Sequence, residues 1–76
     1  MSEVRLLNQL KVHRARLDLT QAELADRAGV TRKSINAIER GHYVPSTVLA
    51  LRLARVFGIA VEDLFQLPEN DAPHSM

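Results

Sequence analysis

Seventy-six residues without a cysteine describe one small domain with a single core, no disulfide staple and no thiolate metal site. At this size stability is marginal and a partner subunit helps. No run of about 18 apolar residues offers a membrane span, no apolar segment at the N-terminus reads as a signal peptide, and Tyr43, Phe57 and Phe65 are too few to build the stacking platforms of single-strand readers.

The formal charge of +1 conceals a division. All ten Lys and Arg fall within residues 1–59, beside five acids, whereas residues 60–76 carry Glu62, Asp63, Glu69 and Asp71 and no cation. A basic body with an acidic end suits one phosphate-facing surface and one turned elsewhere. Ordinary charge scatter in a small protein gives the same totals.

In chain order, residues 4–16 predict a first helix. Val4, Leu7 and Leu10, with Leu6 beside them, form its apolar stripe, and Lys11 and Arg14 its basic flank. Ser2 is the candidate cap, with Glu3 near the positive end of the helix dipole. Leu17-Asp18-Leu19 connects to a second helix opening at Gln21. Thr20 and Glu23 make a T-x-x-E capping box there. Leu24, Ala25 and Ala28 recur at helical spacing, and Gly29 allows the positive φ of a helix end. Thr31 is a second N-cap, for a third helix running through Arg40 that Gly41 ends.

The third helix divides into two sides. Ile35 and Ile38 lie together, while Arg32, Lys33, Asn36, Ala37 and Arg40 fill an arc of roughly 140° on another side. Three cations, an amide and a small apolar residue match what base edges present: Arg pairs with guanine O6/N7, Asn with adenine N6/N7. A solvated amphipathic face has the same pattern. The tight turn at Gly29, with small Ala25 allowing close helix approach, favours the first reading.

His42-Tyr43-Val44-Pro45 is a loop, and Ser46 caps a fourth helix over residues 47–57. Val48, Leu49, Leu51, Leu53, Ala54, Val56 and Phe57 exceed one stripe, so this helix is expected to be central and buried on most sides, with Arg52 and Arg55 outward. Gly58 ends it. A short fifth helix, Glu62 to Leu67, stops at Pro68 and leaves 68–76 as a polar tail. Val61, Leu64, Phe65 and Leu67 are too many apolar side chains for that helix to bury. Either all pack on the fourth helix or some, Phe65 and Leu67 first, are shared with a second subunit.

Other chemistry finds no support. His13, His42 and His74 lack metal-ligand spacing, Ser34 lacks a base to activate it, and no Gly-rich phosphate loop occurs. Glu62 and Asp63 read as helix-start charge. No cofactor, no metal and no enzyme activity are expected.

The helix–turn–helix stretch resembles the Cro and phage-repressor (XRE-like) family of DNA-binding proteins. The residues that carry the resemblance are Gln21, Leu24-Ala25, Ala28-Gly29-Val30, Ile35 and Ile38, then Ile38-Glu39-Arg40-Gly41 and Pro45-Ser46. It covers about residues 4–67. It implies an all-α, compact five-helix domain over residues 1–67 that binds double-stranded DNA and regulates transcription in the cytoplasm, at the nucleoid. It further implies an ion pair between Arg14 and Glu39, base contacts from Arg32, Lys33 and Asn36 with Ala37 available to a thymine methyl, and a homodimer through Val61, Leu64, Phe65 and Leu67 on an inverted-repeat operator. Gln21, Thr31, Ser34, Arg40, His42 and Tyr43 are the expected phosphate contacts, although Thr31 and Ser34 serve equally as caps. Two positions depart from the family's habit: Asp18 stands where it often has Gly, and Ala60 where Ser or Thr often caps the fifth helix. The alternative class is a protein-interaction module, such as the antitoxin subunit of a toxin–antitoxin pair, which calls for an apolar surface beyond the dimer patch.

Overall fold

The computed structural model describes residues 5–69 and 71. The order is β1 (Leu7–Asn8), α1 (Leu10–Arg16), α2 (Gln21–Ala28), α3 (Arg32–Glu39), α4 (Thr47–Phe57), α5 (Val61–Leu64) and β2 (Phe65–Gln66). Leu10, Leu24, Ile35, Ile38, Leu53 and Leu64 are the largest fully buried side chains, so α1 to α5 each contribute to one core. Ala25 and Ala28 are buried where α2 meets its neighbours, and their small size lets α3 and α4 approach α2.

Both ends of the domain differ from the sequence expectation. The first helix begins only at Leu10, because Leu7 and Asn8 are extended and pair antiparallel with Gln66 and Phe65. The Gln9 amide extends that ladder to the Leu64 carbonyl at 2.9 Å. Pairing with period two reverses which leucine faces inward: Leu6 packs on the core and Leu7 is exposed. Asn8 starts the helix, since its Oδ1 accepts from the Leu10 amide at 3.2 Å while its Nδ2 donates to the Ile38 carbonyl at 3.1 Å. The proposed cap at Ser2, with Glu3 and Val4, lies outside the described residues.

The fifth helix is a single turn, Val61–Leu64, instead of reaching Leu67. Ala60 makes no side-chain cap bond, and Phe65 and Gln66 are claimed by the ladder with β1. α4 matches its expected span, capped by Ser46 Oγ on the Leu49 amide at 3.1 Å. It is not buried on most sides, however: Val48 and Leu51 are 58% and 53% exposed. Leu49, Leu53 and Ala54 face inward, and among the described residues no further layer covers the opposite side.

Candidate nucleic-acid interface

Two capped helices and a reversal present α3. At α2 the capping box closes, with the Glu23 amide donating to Thr20 Oγ1 (3.0 Å) and the Thr20 amide to Glu23 Oε1 (2.8 Å). The Thr20 backbone donor, then its hydroxyl, hold the Glu23 carboxyl below the usual carboxylate range. Gly29 is left-handed at φ 73°, a conformation costly for a side chain with a Cβ. The Val30 amide then donates to Ala25 O at 2.9 Å, turning the chain back. Thr31 Oγ1 accepts from the Ser34 amide at 3.1 Å and lies 3.1 Å from Ser34 Oγ. The Thr31 hydroxyl thus caps α3 and the Ser34 hydroxyl pairs with it, and both side chains remain at least partly accessible.

On α3, Ile35 and Ile38 are buried while Arg32, Lys33 and Arg40 are exposed and Asn36 and Ala37 half-buried. Lys33, Ser34, Asn36, Ala37, Arg40, His42 and Tyr43 line one open cleft of about 470 Å³. The fold therefore brings the expected base-reading arc and the loop after α3 to the same surface. Arg32 lies at the head of the helix, outside the cleft's lining, and Gln21 lies behind it. Among the described residues the Arg14–Glu39 pair is the sole ion pair, so no described acid neutralises the cations on this face.

Behind the surface, Arg14 Nε donates to Glu39 Oε2 at 2.6 Å and Nη2 to Oε1 at 3.1 Å, while Nη1 donates to Leu19 O at 2.9 Å. The Glu39 hydrogen bond raises the Arg14 pKa further above its usual value. Gln21 Nε2 donates to Glu39 Oε1 (3.1 Å) and to Asn36 Oδ1 (3.3 Å). The partners of Gln21, fifteen and eighteen residues on, follow no local period. This role was therefore hidden from spacing, and so was the role of Asn8 in accepting α1 and holding the end of α3.

The four residues of the expected dimer group differ in burial within one chain. Leu64 is fully buried and Phe65 is 9% exposed within one chain, because α5 and β2 close the bottom of the core. Of the four, only Leu67, at 58% exposure, and half-buried Val61 have surface to share.

The fold and this face define a helix-turn-helix domain, with α2 laid across and α3 presented outward. Residues 10–64 match the helix-turn-helix family. An uncharacterized HTH-type transcriptional regulator of Methanothermobacter thermautotrophicus is 52% identical over 64 residues, covering 83% of this chain and 93% of the relative. The uncharacterized HTH-type transcriptional regulator YgzD of Bacillus subtilis is 44% identical, covering 84% of this chain and 97% of its own. The solved structure of the restriction-modification controller protein C.AhdI from Aeromonas hydrophila shares the fold with a TM-score of 0.69 at 34% identity, covering 74% of this chain and 85% of that one. The chain belongs to the XRE-type helix-turn-helix family of DNA-binding transcriptional regulators. No helix among the described residues is long and apolar enough to cross a membrane.

Proposed function

We propose that the protein reads the major groove of duplex DNA with α3, as a homodimer on an inverted-repeat operator in the cytoplasm. The observation that carries the reading is the composition of the outward side of α3. Among the described residues Arg32 and Lys33 form no ion pair, and they stand with Asn36 on a helix whose other side is anchored by Ile35 and Ile38. Guanidinium and amide groups match the donor and acceptor patterns of base edges, and Ala37 leaves room for a thymine methyl. Arg40, His42 and Tyr43 border the cleft that Lys33, Asn36 and Ala37 line, which supports a phosphate-holding role for them. The α2 amides next to Gln21 and the α3 amides next to Thr31 and Ser34 sit at helix starts, where the dipole favours an anion.

A two-fold axis near the exposed Leu67 and the half-buried Val61 would aim both α3 helices the same way, about 34 Å apart for adjacent major grooves. Selection of bound fragments from random duplex DNA tests the function. The expected outcome is a palindromic consensus whose half-site preferences under α3 are lost in Arg32→Ala and Asn36→Ala. Equal weakening of all sequences by both substitutions would show that these residues touch phosphate alone.

One observation favours a second reading, a protein-interaction module. Val48 and Leu51 on α4 are each more than half exposed, an apolar surface apart from Leu67. Leu51→Lys discriminates. It lowers operator affinity if the surface takes a second copy of this chain, and leaves it unchanged if the surface takes a different protein.

A further inference from the structure

Four side chains form a hydrogen-bonded row from α1 to the outward side of α3, and the row has a direction. Arg14 has only donors, and gives two of them to Glu39. The Glu39 carboxylate has only acceptors, so the part of the Gln21 amide lying 3.1 Å from Oε1 is its NH2. The same Nε2 lies 3.3 Å from the Asn36 side chain, and a donor there requires the Asn36 oxygen. One lone pair of the Asn36 oxygen is then taken, while both Nδ2 hydrogens have no partner among the described residues, on a side chain that lines the cleft with Lys33 and Ala37. Turning the Asn36 amide over would set two NH2 groups against each other and strip Gln21 of a half-buried partner, an unfavourable exchange.

We infer that Gln21 is a positioning residue that sets the base preference of Asn36. With its oxygen turned toward Gln21, Asn36 offers the DNA chiefly its two NH2 donors. Two donors suit the paired acceptors of guanine, O6 and N7. Adenine instead needs one donor and one acceptor on the outer edge, for N7 and N6. The charge of Arg14, two helices away in the chain, thus orients an amide at the DNA surface through an all-acceptor carboxylate. This inference rests on α3 entering the major groove.

The test is a competition titration on duplexes selected by the wild-type chain. The base pair under Asn36 is the one whose preference disappears in Asn36→Ala. There the wild type is expected to favour guanine over adenine by about fivefold or more, the scale of one good bidentate contact. Gln21→Met keeps the length of the side chain and removes its donors. It is expected to bring the guanine-to-adenine ratio to within about twofold, with other base pairs unchanged. Gln21→Ala serves as the second variant, and thermal unfolding shows that each is folded. In the free protein, the Asn36 side-chain NH2 resonances should shift in both variants. A wild-type preference for adenine at that pair overturns the inference, as does uniform weakening by Gln21→Met with the guanine preference intact. If Asn36→Ala leaves every preference in place, Asn36 reads no base and the inference is overturned; only if Arg32→Ala and Lys33→Ala also leave every preference in place has groove reading by α3 itself failed, a result distinct from the others.

Discussion

Arg14 on α1 and Glu39 at the end of α3 meet through two hydrogen bonds, Nε to Oε2 at 2.6 Å and Nη2 to Oε1 at 3.1 Å, with side chains only 16% and 8% exposed. Little water reaches the pair, so removing one partner leaves the other charge poorly solvated. Arg14→Met is expected to cost about 2–4 kcal/mol, lowering Tm by about 10 °C or more. The double substitution Arg14→Met with Glu39→Met removes both charges and should be less destabilised than Arg14→Met alone. Equal Tm values for wild type and Arg14→Met would place the pair among surface ion pairs of little worth.

The capping box at α2 makes stability depend on acid. The Glu23 pKa is held down in the folded chain by its bonds to Thr20. A depressed folded value means the contribution is present at pH above the unfolded carboxylate pKa and fades as pH falls through the folded one. Denaturation of wild type and Glu23→Gln should therefore differ near neutrality and converge in acid. Thr20→Ala, which removes the reciprocal bond, should cost about 1 kcal/mol at neutral pH. A constant difference between wild type and Glu23→Gln across the acid range would count against the linkage.

Asp18 is the one non-glycine residue at positive φ among the described residues, at 56°. Left-handed backbone crowds a Cβ, although Asp tolerates it better than most. Asp18→Gly should raise stability by about 0.5–1 kcal/mol. Asp18→Val, branched at Cβ, should lower it by about 1–2 kcal/mol. Urea titration of the two variants gives opposite signs if backbone strain governs the site. Losses in both would mean that the Asp side chain matters more than its φ.

Leu64 and Leu67 are three residues apart and separate folding from assembly. Leu64→Ala opens a hole in a fully buried position and is expected to cost about 2–5 kcal/mol. Leu67→Asp alters a side chain already 58% exposed and should leave monomer unfolding within about 0.5 kcal/mol. Sedimentation should show it shifted from dimer toward monomer, with operator affinity reduced because the two half-sites are no longer joined. Full operator affinity in Leu67→Asp would move the interface away from this leucine.

Phosphate contact is read from salt. Each neutralised phosphate contributes about −0.9 to the log–log slope of affinity against salt on duplex DNA. Arg40→Ala should make the slope shallower by about that amount while leaving base preference intact. A changed consensus with an unchanged slope would make Arg40 a base reader.

The helix-turn-helix was legible in the sequence because every signal that builds it is local. Thr20 and Glu23 cap across three residues, Gly29 and Thr31 punctuate the turn, and Ile35 with Ile38 marks the buried side of α3 by helical period. The cation-rich arc of Arg32, Lys33 and Arg40 follows from the same period. What only the tertiary structure decided depends on residues far apart in the chain. The antiparallel pairing of residues 7–8 with 65–66 converts two expected helix segments into strands, since backbone groups at the chain's two ends satisfy one another. That closure buries Leu64 and Phe65 in their own core, and no described element covers Val48 and Leu51. The row from Arg14 to Asn36 likewise exists only after α1, α2 and α3 have packed, because hydrogen-bond donors and acceptors select partners by distance in space, which the spacing of Gln21, Asn36 and Glu39 along the chain does not encode.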